Sequence, residues 1–187
     1  MSRIIAGVAG GLPLNSVPGN GTRPTTDRVK EALFSRLESY GVLEGAEVLD
    51  LFAGSGALGL EAGSRGAAAV TLVDLETKAV LACQKNAALL KESAPRVRVS
   101  VQRSKVNAFL ERSAGAAWDL VFLDPPYPLT EDELAHVLTL LSAQLAEGAV
   151  VVVERSSRSP EPAWPAALER FAEKKYGETV LWFAEPA

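Results

Sequence analysis

Asp124-Pro125-Pro126-Tyr127 is the stretch of this chain best suited to chemistry. It closes a strand-like run, Trp118 to Leu123, with a carboxylate, two prolines and an aromatic ring. The amino nitrogen of adenine, cytosine or guanine has its lone pair delocalised into the ring and is a poor nucleophile. A site that methylates it must hold both N–H bonds and leave the lone pair facing the methyl donor. Asp124 and the backbone carbonyl of Pro125 are two suitable acceptors. Because proline fixes φ and donates no N–H, Pro125 and Pro126 can leave a carbonyl free of local hydrogen bonding. Tyr127 can stack on the base. Taken alone, the four residues read equally well as a strand ending in a proline turn with a surface tyrosine. The residues upstream separate these readings.

Upstream lies Asp50-Leu51-Phe52-Ala53-Gly54-Ser55-Gly56-Ala57-Leu58-Gly59, at a strand-to-helix turn where glycine lets the backbone approach a ligand at the carboxyl edge of a sheet. The loop satisfies G-x-G-x-x-G, and Asp74, ending the next strand, suits a ribose diol, so a nicotinamide or flavin dinucleotide passes the same test. Two carboxylates argue against it. Asp50 ends the first strand and Glu61 lies early in the following helix, where a pyrophosphate would need positive potential. S-adenosylmethionine has no phosphate and carries a cationic ammonium and sulfonium, so an acidic neighbour suits it. Asp50, Phe52, Ala53, Gly54, Ser55, Gly56 and Asp74 are therefore the expected cofactor site.

The elements that must position these groups follow from periodicity. Val48–Phe52, Val70–Asp74, Val97–Val101, Leu120–Asp124 and Ala149–Glu154 are short apolar runs of the kind buried on both faces. Leu58–Ser64, Thr77–Lys91, Lys105–Arg112 and Glu131–Leu145 are helical candidates between them. Strand-helix alternation predicts a doubly wound α/β sheet of parallel strands, Rossmann-like. Arg170–Tyr176 and Glu178–Ala184 flank Gly177 and predict an antiparallel hairpin at its edge. Val29, Leu33, Phe34 and Leu37 share one face of a helix entered after Thr25 and Thr26, whereas Gly10 to Gly21 reads as a loop or mobile arm. The expected organisation is an N-terminal arm and helix over residues 1–40, packed on a single domain over 41–187.

Composition sets the frame. The chain has 187 residues, 48% of them hydrophobic, which suits one domain with a full core. No apolar run approaches the roughly 20 residues of a membrane span, and Met1 to Leu14 lacks the pattern of a signal peptide, so a cytoplasmic protein is expected. With one cysteine and one histidine, Cys83 and His136, there is no basis for a disulfide or a zinc site, and no metal is expected. Cys83 reads as core and His136 as surface. The net charge of −4 counts against a large nucleic-acid surface. Its distribution softens that objection: Arg3, Arg23, Arg28 and Lys30 against Asp27 alone leave residues 1–30 at +3 and the rest at −7. A basic arm on an acidic body fits an RNA contact.

The order of glycine loop, acidic second strand and fourth-strand DPPY resembles class I S-adenosylmethionine-dependent methyltransferases that modify amino groups. Within these the chain is most similar to the RsmD family, bacterial 16S ribosomal RNA (guanine-N2)-methyltransferases. The resemblance runs from Arg3 to the C-terminus. It rests on Arg3-Ile4-Ile5-Ala6-Gly7, on the segment from Gly21 to Phe34 containing Arg23-Pro24-Thr25-Thr26-Asp27-Arg28-Val29, on Asp50 through Ala62, and on Asp124 to Tyr127. It implies that Gly54, Ser55 and Gly56 line the methionine part of the cofactor, that Asp74 holds its ribose, and that Asp124 and Tyr127 hold a flipped guanine. Arg23, Thr25, Thr26 and Arg28 would serve either the methionine carboxylate or RNA phosphate, with Arg3 and Lys30 completing a basic arm. Where relatives often place a polar group near the adenine amine, this chain reads Arg103-Ser104-Lys105-Val106, so that contact falls to Ser104 or a backbone carbonyl. The implied partner is 16S RNA within an assembled small-subunit particle. Rival readings are a same-fold enzyme acting on DNA adenine or another amine, and a noncatalytic RNA-binding module. An oxidoreductase would need a second domain for which this length leaves no room.

Overall fold

A computed structural model describes residues 2–19 and 25–187. In chain order its elements are β1 (Ser2–Arg3), β2 (Pro13–Leu14), α1 (Asp27–Tyr40), β3 (Glu47–Leu51), α2 (Ala57–Ser64), β4 (Ala69–Asp74), α3 (Thr77–Ser93) and β5 (Arg98–Arg103). They continue with α4 (Val106–Arg112), β6 (Trp118–Leu123), α5 (Glu131–Ser142), β7 (Leu145–Ser156), β8 (Leu168–Tyr176) and β9 (Thr179–Pro186). The main sheet has seven strands in the order β5-β4-β3-β6-β7-β9-β8. The first five run parallel, and β9 and β8 add the expected antiparallel hairpin. This is the doubly wound α/β architecture that the alternation predicts. No helix among the described residues is long and apolar enough to cross a membrane.

The central strands are apolar on both faces because both are covered. Val48, Leu120, Phe122, Val150 and Val152 point to a core shared with α1, α2 and α3. Leu49, Leu51, Val121, Leu123, Val151 and Val153 point the other way, to α4 and α5. The period of two thus assigns every strand position to one layer or the other.

Most boundaries move by a few residues from the sequence reading, and three of the differences have a clear physical cause. The first long strand stops at Leu51, since Phe52 takes a left-handed φ of 59° that breaks the ladder. The last long helix stops at Ser142 and not at Leu145, because Gln144 turns into the core. There its amide donates to the Leu110 carbonyl and accepts from the Ser113 hydroxyl. The third difference is the N-terminus. Of the expected mobile arm, residues 10–19 are ordered, and β1 and β2 form a small ribbon whose Ile4, Ala9 and Leu14 are buried in the same core as α1 and β3. Residues 20–24 lie outside the described residues.

What holds this ribbon is a buried carboxylate. Glu61 of α2 is 0% exposed. Its oxygens accept from the amides of Ile5 at 2.8 Å and Ala6 at 3.1 Å. Arg65 donates to it at 2.9 Å, and the ammonium of Lys30 stands 4.0 Å away. One turn on, Ser64 accepts from Val8 and Ala9 and donates to the Ala6 carbonyl. Gly7 is required here, because a Cβ at that position would lie 2.0 Å from the Ser64 carbonyl oxygen. Glu61→Ala leaves two amides without an acceptor and removes the buried carboxylate that faces Lys30, while Arg65 keeps Glu31 and Glu38, so it should cost about 3 kcal/mol of stability in urea unfolding, with Glu61→Gln losing less. A loss below about 1 kcal/mol for the alanine variant would place the anchor elsewhere.

Candidate active site

Strand pairing assembles the site. Leu51 of β3 is register partner to Leu123 of β6, so the glycine loop and the DPPY turn leave neighbouring parallel strands at the point where strand order reverses. Alternation carries Asp50, Asp74, Asp124 and Glu154 to the same sheet face, the one covered by α1 to α3. All four line one cleft of ≈ 2160 Å³.

The loop is held from behind. Ala53 donates to the Val73 carbonyl and Gly56 to the Ala53 carbonyl, closing the turn. From α3, the Cys83 thiol donates to the Gly54 carbonyl at 3.1 Å and the Asn86 amide to the Ser55 carbonyl at 2.9 Å. Asn86 also bonds Asn15, so one fully buried amide ties the N-terminal segment to the loop. Gly54, at φ 60°, has nothing within 4 Å of a would-be Cβ, leaving space in front of it for a ligand. Gly56 serves differently from the expectation. It is buried behind the loop, a Cβ there would sit 2.8 Å from Leu72, and it does not line the cleft.

Asp50 decides what the loop can bind. Its carboxylate accepts from the Gly59 amide at 2.9 Å, in the first turn of α2. One amide of this helix start is therefore already engaged by the protein's own carboxyl group, which also crowds the place a pyrophosphate would occupy. Burial pushes the Asp50 carboxyl up to about 8, against the Gly59 bond and with Asp74 and Glu154 adding to the rise. Glu61 takes no part, since it faces the N-terminal ribbon; the acidic surroundings come instead from Asp74, Asp124 and Glu154. Asp74 accepts from Gly54 at 2.9 Å and from Glu76 at 3.0 Å, so it shapes the loop as well as lining the cleft. Its remaining lone pairs can still receive ribose hydroxyls.

At the DPPY turn, the Pro126 carbonyl accepts from Leu129, whereas the Pro125 carbonyl accepts no backbone hydrogen bond among the described residues. Tyr127 is 97% exposed at the mouth of the cleft. Asp124 is accessible to solvent yet sits on the cleft floor. There desolvation, the Glu154 carboxylate and Asp50 hold its carboxyl well above the usual range, opposed by Arg155. The accessible face tempers the shift without changing its direction. Thr25, expected near the cofactor, lines the cleft and donates to Glu154 at 3.2 Å. Ser104 also reaches the wall, but its hydroxyl donates to the Lys105 carbonyl and accepts from Arg112, which favours a backbone contact for an adenine amine.

The basic arm dissolves on folding. Lys30 is 0% exposed and donates to the Arg3 carbonyl, so it is not an RNA contact. Burial lowers its pKa, partly offset by Glu61. Arg3 is exposed but pairs with Asp27 at 2.9 Å and lies off the cleft. Arg28 is exposed on the cleft wall, and Arg23 lies outside the described residues. Other exposed cations at the rim are Lys105, Lys175 and Arg158, the last loosely paired with Glu178 at 3.8 Å. Asn86 and Glu154 were not singled out from sequence. Asn86 does interrupt the apolar stripe Ala79, Cys83, Leu90 of α3, a polar residue where core is expected.

A family model described as conserved hypothetical protein 95 matches residues 2–185. The chain is 39% identical over 180 residues to ribosomal RNA small subunit methyltransferase D of Escherichia coli K12, covering 95% of this chain and 86% of that protein. It is 36% identical over 181 residues to YlbH of Bacillus subtilis, covering 95% of each. The solved structure of yhhF from Escherichia coli superposes with a TM-score of 0.82 at 37% identity, over 98% of this chain and 97% of that one.

The Asp50 environment makes stability pH-dependent. Folded, Asp50 keeps its proton to about pH 8, while the unfolded chain releases it near the ordinary 3.8. Its contribution to stability is therefore present at low pH and lost as pH rises through that window. Asp50→Asn keeps a cap oxygen for Gly59 and removes the titration. Relative to the parent, the variant should gain about 2 kcal/mol or more between pH 5 and pH 8 in urea unfolding. Parallel curves for the two proteins would mean that Asp50 is ionised throughout.

Proposed function

The chain belongs to the conserved hypothetical protein 95 family, that of ribosomal RNA small subunit methyltransferase D, and from that membership and the cleft we propose its activity. It transfers a methyl group from S-adenosylmethionine to the exocyclic N2 amine of a guanine in 16S ribosomal RNA. The observation that carries this reading is the juxtaposition of a carboxyl-capped glycine loop with an acceptor-rich DPPY turn on neighbouring strands.

When bound, S-adenosylmethionine supplies an electrophilic methyl group on a cationic sulfur. The residues fit such a ligand: Asp50 and Asp74 suit an ammonium and a ribose diol, and Gly54 leaves room for close backbone approach. Asp124 and the Pro125 carbonyl accept the two amine hydrogens and turn the nitrogen lone pair toward the cofactor. Tyr127 holds the ring of a base that has left its stack, a step that costs a few kcal/mol and is cheapest in a loop. The amine becomes acidic only as it loses conjugation, so no strong base is needed: Asp124, whose raised carboxyl is the better proton acceptor once ionised, takes the proton or passes it to water. Alignment is the main source of acceleration. Arg28, Lys105, Arg158 and Lys175 at the rim meet RNA phosphates. So few cations on an acidic body favour an RNA already shaped by ribosomal proteins over bare RNA.

Calorimetry should show saturable binding of S-adenosylmethionine and none of NAD. Asp74→Ala should weaken cofactor binding by about 1.5 to 3 kcal/mol, the scale of charged hydrogen bonds. Binding of NAD alone would end the methyltransferase reading.

Labelled methyl groups should enter small-subunit particles in preference to naked 16S RNA or duplex DNA, at a guanine by mass spectrometry. Asp124→Ala should keep cofactor affinity and lose most turnover, while Tyr127→Phe should retain activity that Tyr127→Ala loses, since stacking needs the ring alone. Preference for DNA would overturn the substrate class, and equal activity on naked RNA the assembly requirement.

A further inference from the structure

Glu154 is the carboxylate of the cleft floor that the chemistry above leaves without a task. Leu123 of β6 is register partner to Val153 of β7, so Asp124 and Glu154 leave adjacent parallel strands side by side, about 4.8 Å apart. Alternation turns both side chains to the same face, and both line the cleft. Thr25 donates to one Glu154 oxygen at 3.2 Å and the Asp124 carboxyl hydrogen-bonds Glu154 as well, a contact that the donors of a bound base would replace. The adjacent cation is diverted, because Arg155 is engaged by Glu131.

We propose that Glu154 is a specificity-determining residue that accepts the ring N1–H of guanine while Asp124 and the Pro125 carbonyl hold its amine. This deepens the guanine-N2 reading above and rests on it. Guanine presents its N2 amine and N1–H as adjacent donors on one edge. Adenine and cytosine have an amine as well, but the neighbouring ring nitrogen is an acceptor. Two carboxylates from neighbouring strands match a pair of donors and set lone pair against lone pair for the other two bases. A site built to receive a donor rejects an analogue lacking it strongly, because its buried acceptor is left unpaired. The two acceptors at the DPPY turn meet an amine that all three bases share and cannot tell them apart; a third acceptor, on β7, can.

The test uses the full chain and small-subunit particles reconstituted with either guanine or 2-aminopurine at the methylated position. 2-Aminopurine keeps the C2 amine and presents a lone pair at N1. The wild-type protein should favour guanine in kcat/KM by at least about 30-fold. Glu154→Gln can donate its amide to that lone pair, so its preference should fall to about threefold or less; Glu154→Ala, lacking any acceptor, should also lose most of it. Differences in intrinsic amine reactivity cancel when the ratios are compared between proteins. Calorimetric binding of S-adenosylhomocysteine identifies variants that are folded, and either variant alone suffices for the comparison. Methyl found at guanine N2 with an unchanged ratio in the variants, or a wild-type protein indifferent to the two bases, would overturn the role of Glu154 alone. Methyl found on the amine of another base would overturn the guanine reading itself, and this inference with it.

Discussion

Everything in the site depends on the parallel pairing of β3 with β6. Between them lie three helices and two further strands, yet Leu51 and Leu123 end side by side. This is where strand order reverses, so the crossover helices diverge to opposite faces and leave a crevice at the carboxyl edge. The glycine loop enters it from one strand and the DPPY turn from the next. Because both strands are apolar on both faces, their register is set by two cores at once. A slip of one residue would turn Asp50 and the residues flanking the turn to the wrong layer.

The crevice then gathers carboxylates. Burying Asp50 is unfavourable, but it caps the start of α2 through Gly59 and so closes the position that a phosphate would take. Asp74 spends both oxygens on backbone amides and thereby fixes the loop it also faces. Asp124 and Glu154 stand side by side on the cleft floor, where burial and the neighbouring carboxylate raise the Asp124 carboxyl. Carboxyl groups line the floor of the cleft, and Arg28, Lys105, Arg158 and Lys175 stand at its rim.

A second constraint runs behind the loop. Glu61 and Ser64 hold the N-terminal ribbon against α2, and Asn86 joins Asn15 to Ser55. The N-terminus is thus part of the scaffold that presents the loop. Two of its four cations serve this scaffold, Lys30 buried against the Arg3 carbonyl and Arg3 paired with Asp27 at the surface.

The sequence by itself determined the layer architecture, the order of the parallel strands' elements, the edge hairpin and the acids of the loop and turn, because these depend on local period and on residue chemistry within a few positions. Boundaries at Phe52 and Gln144 escaped it, since a left-handed φ and a side chain drawn into the core are settled by tertiary contacts. So did the direction of each charge. Glu61 and Lys30 read as carboxylate and cation available to ligands, but helix phase and the ribbon turn them inward. Glu154 reads as the end of a buried strand and becomes a wall of the site only when β7 is placed beside β6. Residue type is a local property; which partner a charge meets is decided by elements far apart in the chain, and only the folded structure brings them together.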